Sequence, residues 1–274
     1  MKSESWLSEL DQNKKFKDLK IIPQTHNSAT NLPLFCYHYF IWLFAQCQYL
    51  SIKKQLERGI RALDLRLTVH NDIIYIGHHF ISHYTLENVL LEVEEFLNEN
   101  PSEFVCIFMK DDWKTYNWNS EEYKSIWKFF NRQYTIKNNK NIFNTTLKDL
   151  QSKIIPIIDN TYIKHIPSDI SFIDIDDIEY IHCWNSGHVD NAICILEKSV
   201  PKNIPQNKYR AIGLTVVYKL NNTPLPPLFI HRKLNTWFHD KIQTKWASNH
   251  SFGFVGFDYA DHNLVKDMYS MNFD

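Results

Sequence analysis

The chain has 274 residues, of which 44% are hydrophobic and 22% charged, enough for one large domain or two small ones with a substantial core. A formal net charge of -1, with no long block of one sign, argues against a nucleic-acid binder that works by neutralising phosphates. Cys36, Cys47, Cys106, Cys183 and Cys194 are scattered without C-x-x-C spacing, so they read as buried reduced thiols rather than a zinc or disulfide framework.

In chain order, the opening stretch MKSESWLSELDQNKKFKD lacks the apolar core of a secretory signal, which predicts a cytoplasmic protein or one peripheral at a membrane. The first strand-like run, Leu19 to Gln24, ends in a polar knot at His26 and Asn27. Leu32 to Leu50 is apolar and aromatic, but His38, Gln46 and Gln48 interrupt it, and a bilayer span needs about 20 predominantly apolar residues. Ser51 to Gly59 reads as a short helix stopped by glycine. Strand-like runs follow at Ala62 to Val69, Ile73 to His78, Phe104 to Lys110, Lys153 to Asp159, Ala211 to Tyr218 and Phe252 to Asp258. Between them Thr85 caps an amphipathic helix with Leu86, Val89, Leu90, Val93, Phe96 and Leu97 on one face, ending before Pro101. Leu264 to Tyr269 starts a closing helix, and no linker divides the chain. The alternation predicts a single α/β domain of parallel strands covered by helices.

The polar residues fall where such strands end. His26 follows the first run, Asp64 and Arg66 lie in the second, His78 ends the third, Lys110 the fourth and Asp258 the last. In a parallel barrel these ends converge on one face. Two histidines, an arginine and carboxylates form a set suited to metal-free phosphodiester cleavage: one neutral imidazole removes a proton, one imidazolium supplies a proton, and guanidinium holds the phosphate. Asp64 and Arg66, at i and i+2 of a strand, point the same way, and a carboxylate beside a guanidinium is a poor seat for a divalent cation. Each residue also has a structural reading: Asp64–Arg66 as an ion pair, Asp258 as a helix N-cap, Lys110 as a solvated strand end.

Taken together, SWLSELDQNKKFKDLKIIPQTHNSAT, QCQYLSIKKQLERGIRALDLRL, IYIGHHF, TLENVLLEVEEFLNENPSEFVCIFMK and GFVGFDYADHNLV resemble the X domain of the phosphatidylinositol-specific phospholipases C, in its bacterial single-domain form. The resemblance covers Ser5 to Lys110 and returns at Phe252 to Val265. It implies a distorted (β/α)8 TIM-like barrel spanning residues 1–274, cleaving phosphatidylinositol or a related phospholipid to diacylglycerol and a cyclic inositol phosphate. It assigns His26 as general base, Asp258 as its orienting carboxylate, His78 as general acid, Arg66 as the guanidinium standing where calcium sits in the eukaryotic enzymes, and Asp64 as its acidic partner. Lys110 and Asn27 match substrate-contacting positions. No cofactor or metal is implied. The partners implied are a phospholipid and, transiently, a membrane surface, with Phe35, Tyr39, Trp42 and Phe44 as rim residues that either enter the lipid interface or fill core under the mouth. The chain departs from the bacterial pattern at Asn27, where aspartate is usual, at His78-His79 in place of His-Gly, and at Asp159-Asn160, where a head-group arginine is expected. Two alternatives stand beside this reading: a related barrel phosphodiesterase for another glycerophospholipid, and a catalytically silent lipid-binding member of the family.

Overall fold

The computed structural model describes the chain apart from residues 1, 32–43, 78–80, 112–117, 131–132, 140, 203–207, 218, 221–222, 225, 245–249 and 274. Its strands are β1 (Ile21–Thr25), β2 (Ala62–His70), β3 (Ile73–Gly77), β4 (Ile81–Thr85), β5 (Phe104–Asp111), β6 (Lys153–Ile158), β7 (Ile173–Asp174), β8 (Ile178–His182), β9 (Tyr209–Leu214), β10 (Lys219–Leu220), β11 (Thr223–Pro224) and β12 (Gly253–Phe257). Eight of them run in the order β7-β6-β5-β2-β1-β12-β9-β8, every neighbouring pair parallel. Among the described residues no ladder joins β7 to β8, so the wall is a distorted parallel β/α barrel with an open seam.

Eight parallel strands with helical crossovers curl because each strand twists, and the helices can cover only the outer face. Helix Leu86–Glu99 shows the covering logic. Thr85 caps it by accepting from the Asn88 amide, and Leu86, Val89, Leu90, Val93, Phe96 and Leu97 are buried on one side, as their spacing predicts. Helix Ile52–Glu57 is capped by Ser51, and the chain turns away at Gly59 with φ +106. A β-carbon there would lie 2.8 Å from the Tyr269 ring, so glycine is needed for both backbone and space.

One expected element differs. The run Ile73 to His78 is not a parallel stave: β3 pairs antiparallel with β2 and with β4, forming a hairpin that lies off the eight-stranded path. Only two residues, Asn71 and Asp72, separate β2 from β3, too few for a parallel crossover. The return brings Ile76 opposite Leu67, next to Arg66.

The floor of the barrel explains the aromatic composition. Phe16, Phe104, Phe254 and Tyr209 meet with ring centroids 5.3 to 6.0 Å apart, and Phe108 meets Phe254 edge-on at 5.0 Å. Beneath them, Arg61 and Glu103 form a fully buried ion pair at 2.7 Å. Arg61 also donates to the carbonyls of Leu56, Ile60 and Glu4, which satisfies a charge that would otherwise be costly to bury. Above these rings, Gln24, Asp64, Arg66 and Lys110 line a cavity toward the carboxyl ends of the strands.

Candidate active site

At those ends lies a cavity of about 750 Å³ whose lining includes His26, Asn27, Asp64, Arg66, Lys110 and Tyr180. One layer of the wall is set by register: Gln24 pairs with Gly256, Gly256 with Gly213, and Gly213 with His182. A β-carbon at Gly256 would come 3.2 Å from Gln24 Oε1. Two of the six glycines in the chain thus stand side by side where side chains would fill the pocket.

His26 is held from behind. Its amide extends the β1–β12 ladder by donating to Phe257 O at 3.0 Å. Gln48, wholly buried, donates to both His26 O and Phe257 O at 3.0 Å and accepts from the Ala260 amide at 3.1 Å. This clamp fixes the imidazole against the next strand end, and His26 Nδ1 meets Asp258 Oδ1 at 2.8 Å. A buried carboxylate is acceptor only, so Nδ1 carries the hydrogen and Nε2 is the basic nitrogen. Asn235 Nδ2 donates to the Asp258 carbonyl, and the N-cap of the helix His262–Ser270 is Asp261, so Asp258 is not the cap its position near that helix suggested.

The second cluster rises from β2 and β5. Ser28 Oγ accepts from the Asp64 amide at 2.8 Å, and the Ser28 amide donates to Asp64 O at 2.9 Å, tying the turn after His26 to β2. Arg66 Nη2 donates to Asp64 Oδ2 at 3.1 Å, as side chains two apart in a strand should. Burial pushes the Asp64 carboxyl up, but Arg66, Lys110 and His26 outweigh it and hold the group well below the usual carboxylate range. Lys110 pairs in register with Arg66, and its ammonium lies 4.9 Å over the Tyr180 ring. Burial lowers its pKa, with Asp64 opposing and Arg66 adding to the fall. Lys110 is therefore a half-buried cation facing the pocket, not a solvated strand end.

Of the residues singled out from sequence, His26, Asn27, Asp64, Arg66 and Lys110 line one cavity and Asp258 touches His26. His78, Phe35, Tyr39 and Trp42 lie outside the described residues. Phe44 is 43% exposed. Asp159 caps the short helix Asn160–Ile163, and its field reaches Lys110. Cys194 is exposed, which corrects the expectation that the thiols are buried; Cys47, Cys106 and Cys183 are. Sequence reasoning missed Cys47, Gln48, Tyr180 and His182. Gln48 carried a signal, since a polar residue inside an apolar run is the informative exception. Tyr180 and His182 stack at 4.9 Å with planes 4° apart, and burial followed by Lys110 lowers the His182 pKa.

His26, Cys47 and Asp258 offer nitrogen, sulfur and oxygen atoms within 4.8 Å of one another. Calcium takes six to eight oxygen ligands, so this set does not fit it, and at Asp64 the neighbour is a guanidinium. No helix among the described residues is long and apolar enough to cross a membrane.

Fold and site together define a single-domain, distorted parallel barrel with a histidine–carboxylate pair and an arginine–carboxylate pair facing one pocket at its strand ends. Residues 27–158 match the model of the "Phosphatidylinositol-specific phospholipase C, X domain" family. The chain is 33% identical over 121 residues to a 1-phosphatidylinositol phosphodiesterase of Listeria monocytogenes, covering 42% of this chain and 37% of the relative. It is 28% identical over 179 residues to that of Staphylococcus aureus strain Newman, covering 59% and 53%. The matched stretches therefore span about half or less of these relatives. The fold is shared throughout: the phosphatidylinositol-specific phospholipase C structure from L. monocytogenes superposes with a TM-score of 0.78 at 20% identity over 99% of both chains. A structure of the S. aureus enzyme, studied for membrane binding, gives 0.73 at 18% identity over 97% of both. The match to the X-domain family thus covers residues 27–158, just under half of the chain, and beyond that stretch the likeness to the bacterial enzymes is one of fold.

Proposed function

We propose that this protein is a metal-independent phosphodiesterase that cleaves phosphatidylinositol or a closely related phospholipid. The observation that carries the reading is the His26–Asp258 pair at 2.8 Å facing the same cavity as the Arg66–Asp64 pair and Lys110. A neutral imidazole oriented by a carboxylate is a general base, and a guanidinium and an ammonium across the pocket suit a phosphodiester anion. His26 Nε2 takes the proton of the inositol hydroxyl next to the phosphate. That oxygen bonds to phosphorus as the bond to the diacylglycerol oxygen breaks. The proton for the leaving alkoxide falls to His78, as the resemblance to the phospholipase C X domain implies. His182 suits that task less well, because burial and the Lys110 ammonium both disfavour its charged form. The products are diacylglycerol and a cyclic inositol phosphate. The stacked Tyr180–His182 pair offers a flat wall for one face of the head-group ring.

Asp159, occupied as a helix cap where an arginine is expected, favours a head group bound by fewer cations, so phospholipids with other or modified head groups belong in the first screen. The test is turnover of phosphatidylinositol vesicles by purified protein, with and without chelator. Activity that survives chelation and is lost in His26→Ala and His78→Ala is the expected result. Strict calcium dependence would overturn the role given to Arg66. Vesicle binding without turnover of any of several phospholipids would show a silent lipid-binding protein instead. The rim reading, with Phe44 and its aromatic neighbours entering the lipid surface, is part of the same proposal.

A further inference from the structure

The nitrogen that must accept the substrate proton is already engaged. Asn27 Nδ2 lies 3.1 Å from His26 Nε2, and 3.5 Å from Cys47 Sγ. Successive side chains on a strand point to opposite faces, but Asn27 has φ +44, and this left-handed turn lets its amide fold back beside its neighbour's ring. The residue is 2% exposed, and among the described residues its Oδ1 has no hydrogen-bond partner. An unused buried carbonyl is costly, so the contact made by the amide nitrogen must outweigh it. Turned over, the same amide would set Oδ1 against Nε2, which is favourable only when Nε2 bears a proton.

We infer that Asn27 is a positioning residue that follows the proton: its NH2 group caps neutral His26 in the resting enzyme, and its carbonyl receives the imidazolium after transfer. The inference rests on His26 being the base. In the cycle, the substrate hydroxyl displaces the amide from Nε2 and gives it the proton as the new oxygen–phosphorus bond forms. The side chain then turns about its Cβ–Cγ bond, and returns when Nε2 loses the proton. Cys47 makes the turn tolerable on the other side, because a thiol accepts weakly from NH2 and donates weakly to the carbonyl. Its sulfur is fully buried, and burial together with Asp258 keeps it in the thiol form. An aspartate in place of Asn27 would serve only the protonated state. Among the described residues, the titratable groups facing this pair include Asp258, which follows β12, Asp64 from β2, and His231, whose field reaches Asp258.

The pH profile of kcat/KM on phosphatidylinositol vesicles separates the roles. Asn27→Asp is expected to move the acid limb upward by about one pH unit, since a carboxylate beside Nε2 holds the proton. Asn27→Leu, similar in volume but without hydrogen bonds, is expected to lower kcat about tenfold with little change in KM. Cys47→Ala should lose part of that rate, and Cys47→Ser, which keeps a donor and an acceptor, should recover it. Ring-nitrogen NMR of the free protein gives a readout without turnover: His26 should be the Nδ1–H tautomer, with the Nε2 signal moved by Asn27→Leu. Profiles of Asn27→Asp and Asn27→Leu that superpose on wild type, or an unmoved Nε2 signal, overturn the inference. If the signal moves but His26→Ala keeps full activity, the base assignment fails and the proton-following role with it.

Discussion

Replacing Asp258 by asparagine tests the His26 assignment with the least change in shape. The two side chains meet at 2.8 Å and are only 18% and 9% exposed, so little water screens them. When His26 takes a proton, its charge and that of the carboxylate are roughly 4 Å apart, an attraction of about 4 kcal/mol at an effective dielectric constant near 20. Each 1.4 kcal/mol, approximately, is tenfold in rate, which sets a ceiling of about a thousandfold. An amide can also turn its NH2 toward Nδ1 and favour the wrong tautomer, a loss of the same kind. The expected result is a fall in kcat of roughly a hundredfold to a thousandfold with KM nearly unchanged, because Asp258 acts through His26 and not on the substrate. The assay is release of diacylglycerol from phosphatidylinositol vesicles, with thermal melting to show that the variant is folded. A second arm is the double variant with His26→Ala, which should be no slower than His26→Ala alone. A folded Asp258→Asn that keeps more than about a third of the wild-type kcat would refute the reasoning.

Stability should report the second cluster. Asp64 is held below the usual carboxylate range, so the unfolded chain takes up its proton at higher pH than the folded one. Its contribution is complete above about pH 5 and drains as the pH falls, so the gap in urea midpoint between wild type and Asp64→Asn should narrow from about pH 5 toward pH 2, and parallel curves would count against this. Glu103→Gln leaves Arg61 charged and fully buried, which should cost about 3 kcal/mol or more in denaturant unfolding while the folded fraction keeps its turnover; a near-neutral effect would mean the floor relaxes around Arg61. Phe44→Ser should weaken sedimentation with phosphatidylinositol vesicles about fivefold to tenfold, as removal of exposed apolar area predicts, and leave hydrolysis of a soluble inositol phosphodiester at its rate; unchanged vesicle binding would assign Phe44 to the protein surface alone.

Local rules carried much of this structure. The Thr85 cap, the buried face of helix Leu86–Glu99, the stop at Gly59 and the same-side placement of Asp64 and Arg66 follow from spacing and residue type. The ends of β1, β2, β5 and β12 were legible because each is an apolar run that stops at a polar residue. β8 was not legible, since IEYIH is a short run of mixed polar and apolar residues with no regular alternation, and with it went Tyr180 and His182. The antiparallel turn of β3 was hidden for a different reason: an apolar run has no direction, and only its ladder with β2 supplies one.

What the sequence by itself determined, then, is the set of strands and helices it marks and the chemistry that His26, Arg66 and Asp258 could perform. Tertiary structure alone decided which nitrogen of His26 is basic, because Asp258 is 232 residues away along the chain and reaches it only when β1 and β12 pair. It likewise decided that Asn27 and Cys47 stand against that nitrogen, and that two glycines from β9 and β12 open the pocket. Spacing along the chain governs neighbours within an element; the register between elements sets the distances on which proton transfer depends.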